Sequence, residues 1–199
     1  PRGKTLGGSS SINGLLYIRG QARDYDIWRQ QGNTGWGWDD VLPYFIKSEN
    51  QERGANKFHG VGGPLSVSDI RIKLDILNEF QNAASEMGIP KINDFNTGDN
   101  FGCDYFQVTE KNGLRCSTAV GYLNPAKKRA NLKVEVKAHV KQINFKDKKA
   151  VGISYWKDDK LIIVKANKEV ILSAGSIGSP QILQTSGIGD EKKLRDLGI

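Results

Sequence analysis

Two glycines stand side by side at Gly7-Gly8, inside an opening run that reads Gly3-Lys4-Thr5-Leu6-Gly7-Gly8-Ser9-Ser10-Ser11-Ile12-Asn13-Gly14. Neither carries a Cβ and either takes φ > 0, so bare backbone can pass close to a flat ligand here. Ser9, Ser10, Ser11 and Asn13 add hydroxyls and an amide that donate and accept hydrogen bonds. A second glycine-serine stretch lies near the far end, Gly175-Ser176-Ile177-Gly178-Ser179-Pro180-Gln181-Ile182-Leu183-Gln184-Thr185-Ser186-Gly187-Ile188-Gly189. Each alone reads as an ordinary loop, or as a serine-capped helix start. Together they suit the edge of a flat, polar-rimmed ring.

Between them the pattern changes several times. Leu15-Leu16-Tyr17-Ile18 is an apolar run, after which Tyr25, Trp28 and Gln31 fall on a predicted helix ended by Gly32. Asp39 or Asp40 is expected to cap a second helix with Val41, Leu42, Phe45 and Ile46 on one face and Pro43 in its first turn. Trp28, Trp36 and Trp38 are expected as core anchors. Residues 50–72 are rich in Gly and mark a change of domain. Leu74, Leu77, Phe80, Ala84 and Met87 keep helical spacing up to a stop at Gly88 and Ile89-Pro90. Residues 105–109 read as a strand, with Asn112-Gly113 turning it back toward residues 114–117.

From Asn131 the spacing predicts an antiparallel meander over residues 132–145, 150–156 and 161–166. Glu169-Val170-Ile171-Leu172-Ser173-Ala174-Gly175 differs, because its apolar run is unbroken and ends in small residues. That predicts a parallel strand buried on both faces, followed by a helix opening at Ser179-Pro180. The expected fold class is α/β in a mixed α+β sense: part of a Rossmann-like domain with an antiparallel β-meander, interrupted by an inserted domain.

Twenty-nine basic and twenty-two acidic residues give a net charge of +7. The lysines are scattered over turns and strand faces instead of forming one basic stripe, so no nucleic-acid partner is expected. Cys103 and Cys116 have no CxxC pairing and no histidine at ligand spacing, and read as small buried or half-buried thiols, with a disulfide as the alternative, and not as metal ligands. No apolar run approaches the roughly 20 residues that span a bilayer, and the sequence sets no compartment. Neither Gly60-Val61-Gly62 nor Gly187-Ile188-Gly189 completes a Gly-x-Gly-x-x-Gly fingerprint.

In their order and spacing, the two glycine-serine stretches resemble both signature motifs of the glucose-methanol-choline (GMC) family of flavin oxidoreductases. Gly32-Asn33-Thr34-Gly35-Trp36-Gly37-Trp38, Phe58-His59-Gly60-Val61-Gly62-Gly63-Pro64-Leu65, Asp94-Phe95-Asn96, Gln107-Val108-Thr109 and Asn131-Leu132-Lys133-Val134 look like family landmarks in the expected order. The resemblance implies FAD as cofactor. It places contacts at Thr5 through its backbone, at Gly7, Gly8 and Ser9, at Asn13, Gly14, Leu15 and Leu16, and at Val140, whose backbone would meet the adenine. Some members attach FAD through a histidine directly before the signature asparagine; Ile12 stands there, so the FAD is expected to be non-covalent. By the same resemblance, residues 1–50 and 126–199 belong to the FAD-binding domain and residues 51–125 to the substrate-binding domain.

The family's dinucleotide fingerprint is expected before Pro1 and its catalytic histidine beyond Ile199, which makes the chain an internal fragment, inactive alone and without a catalytic residue of its own. His59 and His139 are expected to be structural. The implied function is oxidation of a primary alcohol to an aldehyde by hydride transfer to flavin N5, with an electron acceptor reoxidising the flavin. Asn50 to Gly54, Phe58-His59-Gly60, Gln107-Val108-Thr109 and Lys111-Asn112-Gly113-Leu114-Arg115-Cys116-Ser117 look closest to the branch holding choline dehydrogenases and aliphatic primary-alcohol dehydrogenases. Choline and an aliphatic alcohol stand level as substrates. An oxidase using O2 and a flavin-binding or structural module without activity are the alternatives.

Overall fold

The computed structural model describes residues 1–199 and divides into two compact units of mixed helix and strand, Pro1–Leu132 and Lys133–Ile199.

The first unit opens with a 3-10 turn, Gly8–Ser11, and a short strand β1, Leu16–Tyr17. Helix α1, Ala22–Gln30, has Asp24 in its first turn accepting from the Gln21 backbone at 2.8 Å, and it ends as expected at Gly32, whose φ is 98°. Helix α2, Trp38–Ser48, begins earlier than either aspartate implied. Its N-cap is Gly37, whose N–H donates to Asp40 Oδ2 at 2.9 Å, half of a capping box. Pro43 therefore lies in the second turn and not the first, and the carbonyl of exposed Asp39 loses its usual donor.

Of the three tryptophans only Trp38 is a core anchor, packed against Tyr25 and Phe45 with ring centroids 5.8 and 6.5 Å away. Trp28 and Trp36 are 45% and 55% exposed, contrary to expectation. Trp28 meets the edges of Tyr25 and Trp36, and its remaining surface has nothing from this unit to cover it.

Strand β2, Glu49–Gln51, runs straight out of α2 and pairs in parallel with β3, Leu65–Val67. Residues 52–64 form the crossover and touch the last turn of α2 at Gly60. A Cβ at Gly60 would come 2.0 Å from the Ile46 carbonyl oxygen, so only glycine lets the two backbones touch. Helix α3, Asp75–Glu86, stops before Gly88 at φ 84°. Of its apolar stripe only Ala84 is buried; Leu74, Leu77, Phe80 and Met87 remain exposed.

Strand β4, Gln107–Val108, pairs antiparallel with β1. The turn at Asn112-Gly113 forms as expected, at φ 52° and 77° as a type I′ turn requires, but the strand it turns back is β5, Glu110–Lys111, paired with β6, Leu114–Arg115, and not residues 105–109. A π-helical turn, Ala119–Leu123, and a single turn α4, Asn124–Ala126, follow.

The second unit is the predicted meander: β7 His139–Lys146, β8 Lys149–Lys157 and β9 Lys160–Lys165, antiparallel in that order. Strand β7 starts at His139 and not near Leu132, because β8 has run out: His139 already pairs with Trp156, next to the turn at Asp158-Asp159. Residues 169–173 are not a strand, which overturns the expected buried parallel strand. No strand of this unit offers them a ladder, and Ile171 is left 79% exposed while Val170 and Leu172 are only half-buried. Helix α5 is Gly175–Thr185, so it opens before Ser179-Pro180. Ser179 Oγ lies inside it and accepts from the Ala174 N–H at 2.9 Å. Helix α5 is tied to β7 by the Ile143 N–H donating to Ser186 Oγ at 2.8 Å and Thr185 Oγ1 donating to the Lys141 carbonyl at 3.2 Å. Helix α6, Glu191–Asp196, is capped by the Asp190 carboxylate.

Candidate functional site

The opening loop is a built structure. Gly8 N–H donates to the Thr5 carbonyl at 2.9 Å, Gly7 turns at φ 89°, and the N–H groups of Ile12 and Asn13 both reach the Ser9 carbonyl. At Gly7 a Cβ would press against Ser11 Oγ at 2.4 Å and Ala119 Cβ at 3.1 Å. At Gly8 and Gly14 a Cβ would meet nothing within 4 Å. The glycine that faces the protein is thus required for packing, while the next two leave bare backbone facing outward. Thr5, Ser9, Asn13, Gly14 and Leu16 are exposed, and Gly7, Gly8 and Leu15 are half-buried.

What holds this loop comes from about a hundred residues further on. Thr118 N–H donates to Ser10 Oγ at 3.0 Å, and Thr118 Oγ1 donates to the Gly7 carbonyl at 3.2 Å. Arg115 Nη1 donates to the Ser10 carbonyl at 3.0 Å and to Asn13 Oδ1 at 2.7 Å, while Nη2 donates to the Asn13 carbonyl at 2.7 Å. The Leu15 carbonyl accepts from the Thr109 N–H at 2.8 Å. Arg115 and Thr118 fasten the loop, and the sequence alone does not single them out. Arg115 belongs to a stretch resembling the family, but nothing local marks it as reaching back to Asn13.

Val140 lies in the second unit, half-buried on β7 opposite Tyr155, beside a bulge at Lys141 that interrupts the register. Such a bulge bends a strand and re-aims the backbone next to it.

The two histidines sit in opposite settings. His139 is exposed at the start of β7. His59 is 3% exposed and set between two carboxylates: Nδ1 lies 2.9 Å from Glu49 Oε2 and Nε2 lies 2.8 Å from Asp94 Oδ2. Burial opposes its charge, but hydrogen bonds to Asp94 and Glu49 and their charges outweigh burial and raise its pKa from 6.5 to about 9. Burial also works against Asp94 ionising, yet the His59 and Asn96 hydrogen bonds and the His59 and Arg53 charges hold its carboxyl below the usual range. With an acceptor at each ring nitrogen and a pKa raised to about 9, His59 is held as an imidazolium near neutral pH.

Around it, Arg19 reaches Glu49, the Phe58 carbonyl and the Asn96 carbonyl, and Gln51 joins Glu49 to Gln107. This network cross-links β1, β2, β4 and the 93–97 loop. Cys116 is buried and Cys103 half-buried, both as free thiols. No group of three or more His, Cys, Asp or Glu side chains is arranged to hold a metal ion, and no helix is long and apolar enough to cross a membrane.

This fold is shared with flavin-type oxidoreductases: an FAD-dependent oxidoreductase from Chaetomium thermophilum superposes with a TM-score of 0.92 at 32% identity, over 100% of this chain and 37% of that one. The chain belongs to the GMC oxidoreductase family, whose model matches residues 1–198. It is 42% identical over 199 residues to the mitochondrial choline dehydrogenase of Homo sapiens, covering 100% of this chain and 34% of that protein. It is 41% identical over 202 residues to the alcohol dehydrogenase [acceptor] of Pseudomonas putida, covering 100% of this chain and 37% of that protein. The chain therefore spans about a third of the length of the curated relatives it matches.

Proposed function

We propose that residues 1–199 form the flavin-seating part of a GMC enzyme that oxidises a primary alcohol to an aldehyde. The observation that carries this is the state of Asn13. Its Oδ1 already accepts from Arg115 Nη1 and from the Leu15 N–H, which turns its amide nitrogen outward with no partner in the chain, beside the bare backbone of Gly14. An outward amide donor over an open glycine edge fits the rim of an acceptor-rich planar ring.

When bound, FAD would supply the hydride acceptor at N5. In this reading the Thr5 backbone, Gly7, Gly8 and Ser9 line its approach, Asn13, Gly14, Leu15 and Leu16 meet it, and the Val140 backbone meets the adenine. Ile12 carries no nucleophilic nitrogen, so the cofactor is held without a covalent bond. His59 keeps both ring protons, so it cannot take the hydroxyl proton of a substrate; the general base comes from outside these residues. Residues 1–50 and 126–199 serve the cofactor and residues 51–125 the substrate.

Relatives named for choline and for alcohol match equally well, so choline and a medium-chain primary alcohol are the two substrates to compare. The test is dye-linked oxidation of each by the full-length flavoprotein, with hydrogen peroxide yield telling an oxidase from a dehydrogenase. Turnover of one supports the reading, and turnover of neither refutes it. The isolated 199-residue chain should reduce no dye.

A further inference from the structure

Arg115 makes an unusual use of its charge. Its guanidinium donates to three neutral oxygens of one loop, those of Ser10, Asn13 backbone and Asn13 side chain. Glu110 sits directly across the β5–β6 hairpin from it, yet makes no ion pair with it. A half-buried cation that spends its rigid fork on carbonyl groups instead of a carboxylate is acting through geometry. The shape it imposes is specific. With Oδ1 claimed by Arg115 and by Leu15, the Asn13 amide has a single orientation, and Leu15 is held at φ 69°, a costly conformation for a branched L residue.

We propose that Arg115 is the positioning residue of the flavin loop: it sets the Asn13 amide with its N–H donors outward and acts on the cofactor through Asn13 without touching it. This rests on the FAD reading above. Charge alone does not do it. A lysine keeps the positive charge, but its three donors sit on one flexible ammonium, whereas here two nitrogens of a rigid fork divide the contacts, Nη1 serving Ser10 and Asn13 Oδ1 and Nη2 the Asn13 carbonyl.

The experiment uses the full-length protein and measures flavin affinity by fluorescence quenching, the visible circular dichroism of bound flavin, and the melting temperature of the flavin-free form. The variants are Arg115→Gln, Arg115→Lys, Asn13→Ala and the double variant R115Q/N13A. R115Q should weaken flavin binding by about tenfold or more, as expected for losing hydrogen bonds from a charged donor. R115K should fail to restore either the affinity or the dichroism. In the N13A background R115Q should cost no more than about threefold further, because two residues acting as one unit are not additive.

Full rescue by R115K overturns the proposal, since charge would then suffice. An undiminished R115Q penalty in N13A also overturns it, as does a lower melting temperature with unchanged affinity and spectrum. A wild-type protein that binds no flavin removes the FAD reading and this inference with it, whereas normal wild-type binding with an indifferent R115Q removes only the inference. Should R115Q fail to accumulate, R115K paired with N13A completes the same cycle.

Discussion

Arg19 Nη2 donates to Glu49 Oε2 at 2.9 Å, and neither side chain has more than 1% of its surface in contact with water. Glu49 also accepts from the Gly60 N–H and faces His59, so it balances two cations inside the first unit. Replacing it by alanine strands both. Glu49→Ala should cost about 3–5 kcal/mol in chemical denaturation, the range for breaking one side of a buried pair. A loss below about 1 kcal/mol would place the pair in water, where such contacts contribute little.

His59 makes stability depend on pH in a definite direction. Its folded pKa is raised from 6.5 to about 9, so its contribution is fully present below about 6.5 and disappears as pH rises through about 9. The charges facing it are Glu49 and Asp94, with Arg19 and Arg53 behind them. The unfolding midpoint of the wild-type protein should fall between pH 7 and 10 by more than that of His59→Gln. Parallel pH profiles for the two would remove the imidazolium assignment.

Gly14 separates folding from ligand binding. Its backbone φ is ordinary and a Cβ there meets nothing within 4 Å, so Gly14→Ala should change stability by no more than about 0.5 kcal/mol. The added methyl stands where the flavin is proposed to approach, and affinity for FAD should drop severalfold. Gly7→Ala is the contrast, because it collides with Ser11 and Ala119 and should destabilise the protein itself. Unchanged FAD affinity in G14A would move the cofactor away from this edge.

Ile12 occupies the position directly before Asn13 and has only carbon in its side chain. Acid precipitation of the holoprotein should leave all of the flavin in the supernatant. Yellow colour in the washed pellet would mean a covalent bond formed elsewhere.

Features set by neighbouring residues could be read from the chain alone. Asn112-Gly113 and Asp158-Asp159 both make turns with consecutive positive φ, and Gly88 stops α3, because each depends only on local backbone preference. Features set by a distant partner could not. The apolar run at 169–173 looked like a buried strand, but burial is a property of the pairing strands, and this unit provides none. The turn that holds Pro43 is not legible locally either, because the start of α2 is decided by the Gly37–Asp40 hydrogen bond. The loop at 5–16 was recognisable by its glycines and serines, whereas Arg115 was invisible as its latch, since the two meet across 102 positions.

That separation also dictates an order of events during synthesis. Ser10 and Asn13 emerge from the ribosome long before Arg115 and Thr118, and at typical elongation rates the interval is roughly 5–20 s. Throughout it the nascent loop lacks its fasteners, so a chain truncated before residue 115 would carry the first glycine-serine stretch complete and still be unable to set it.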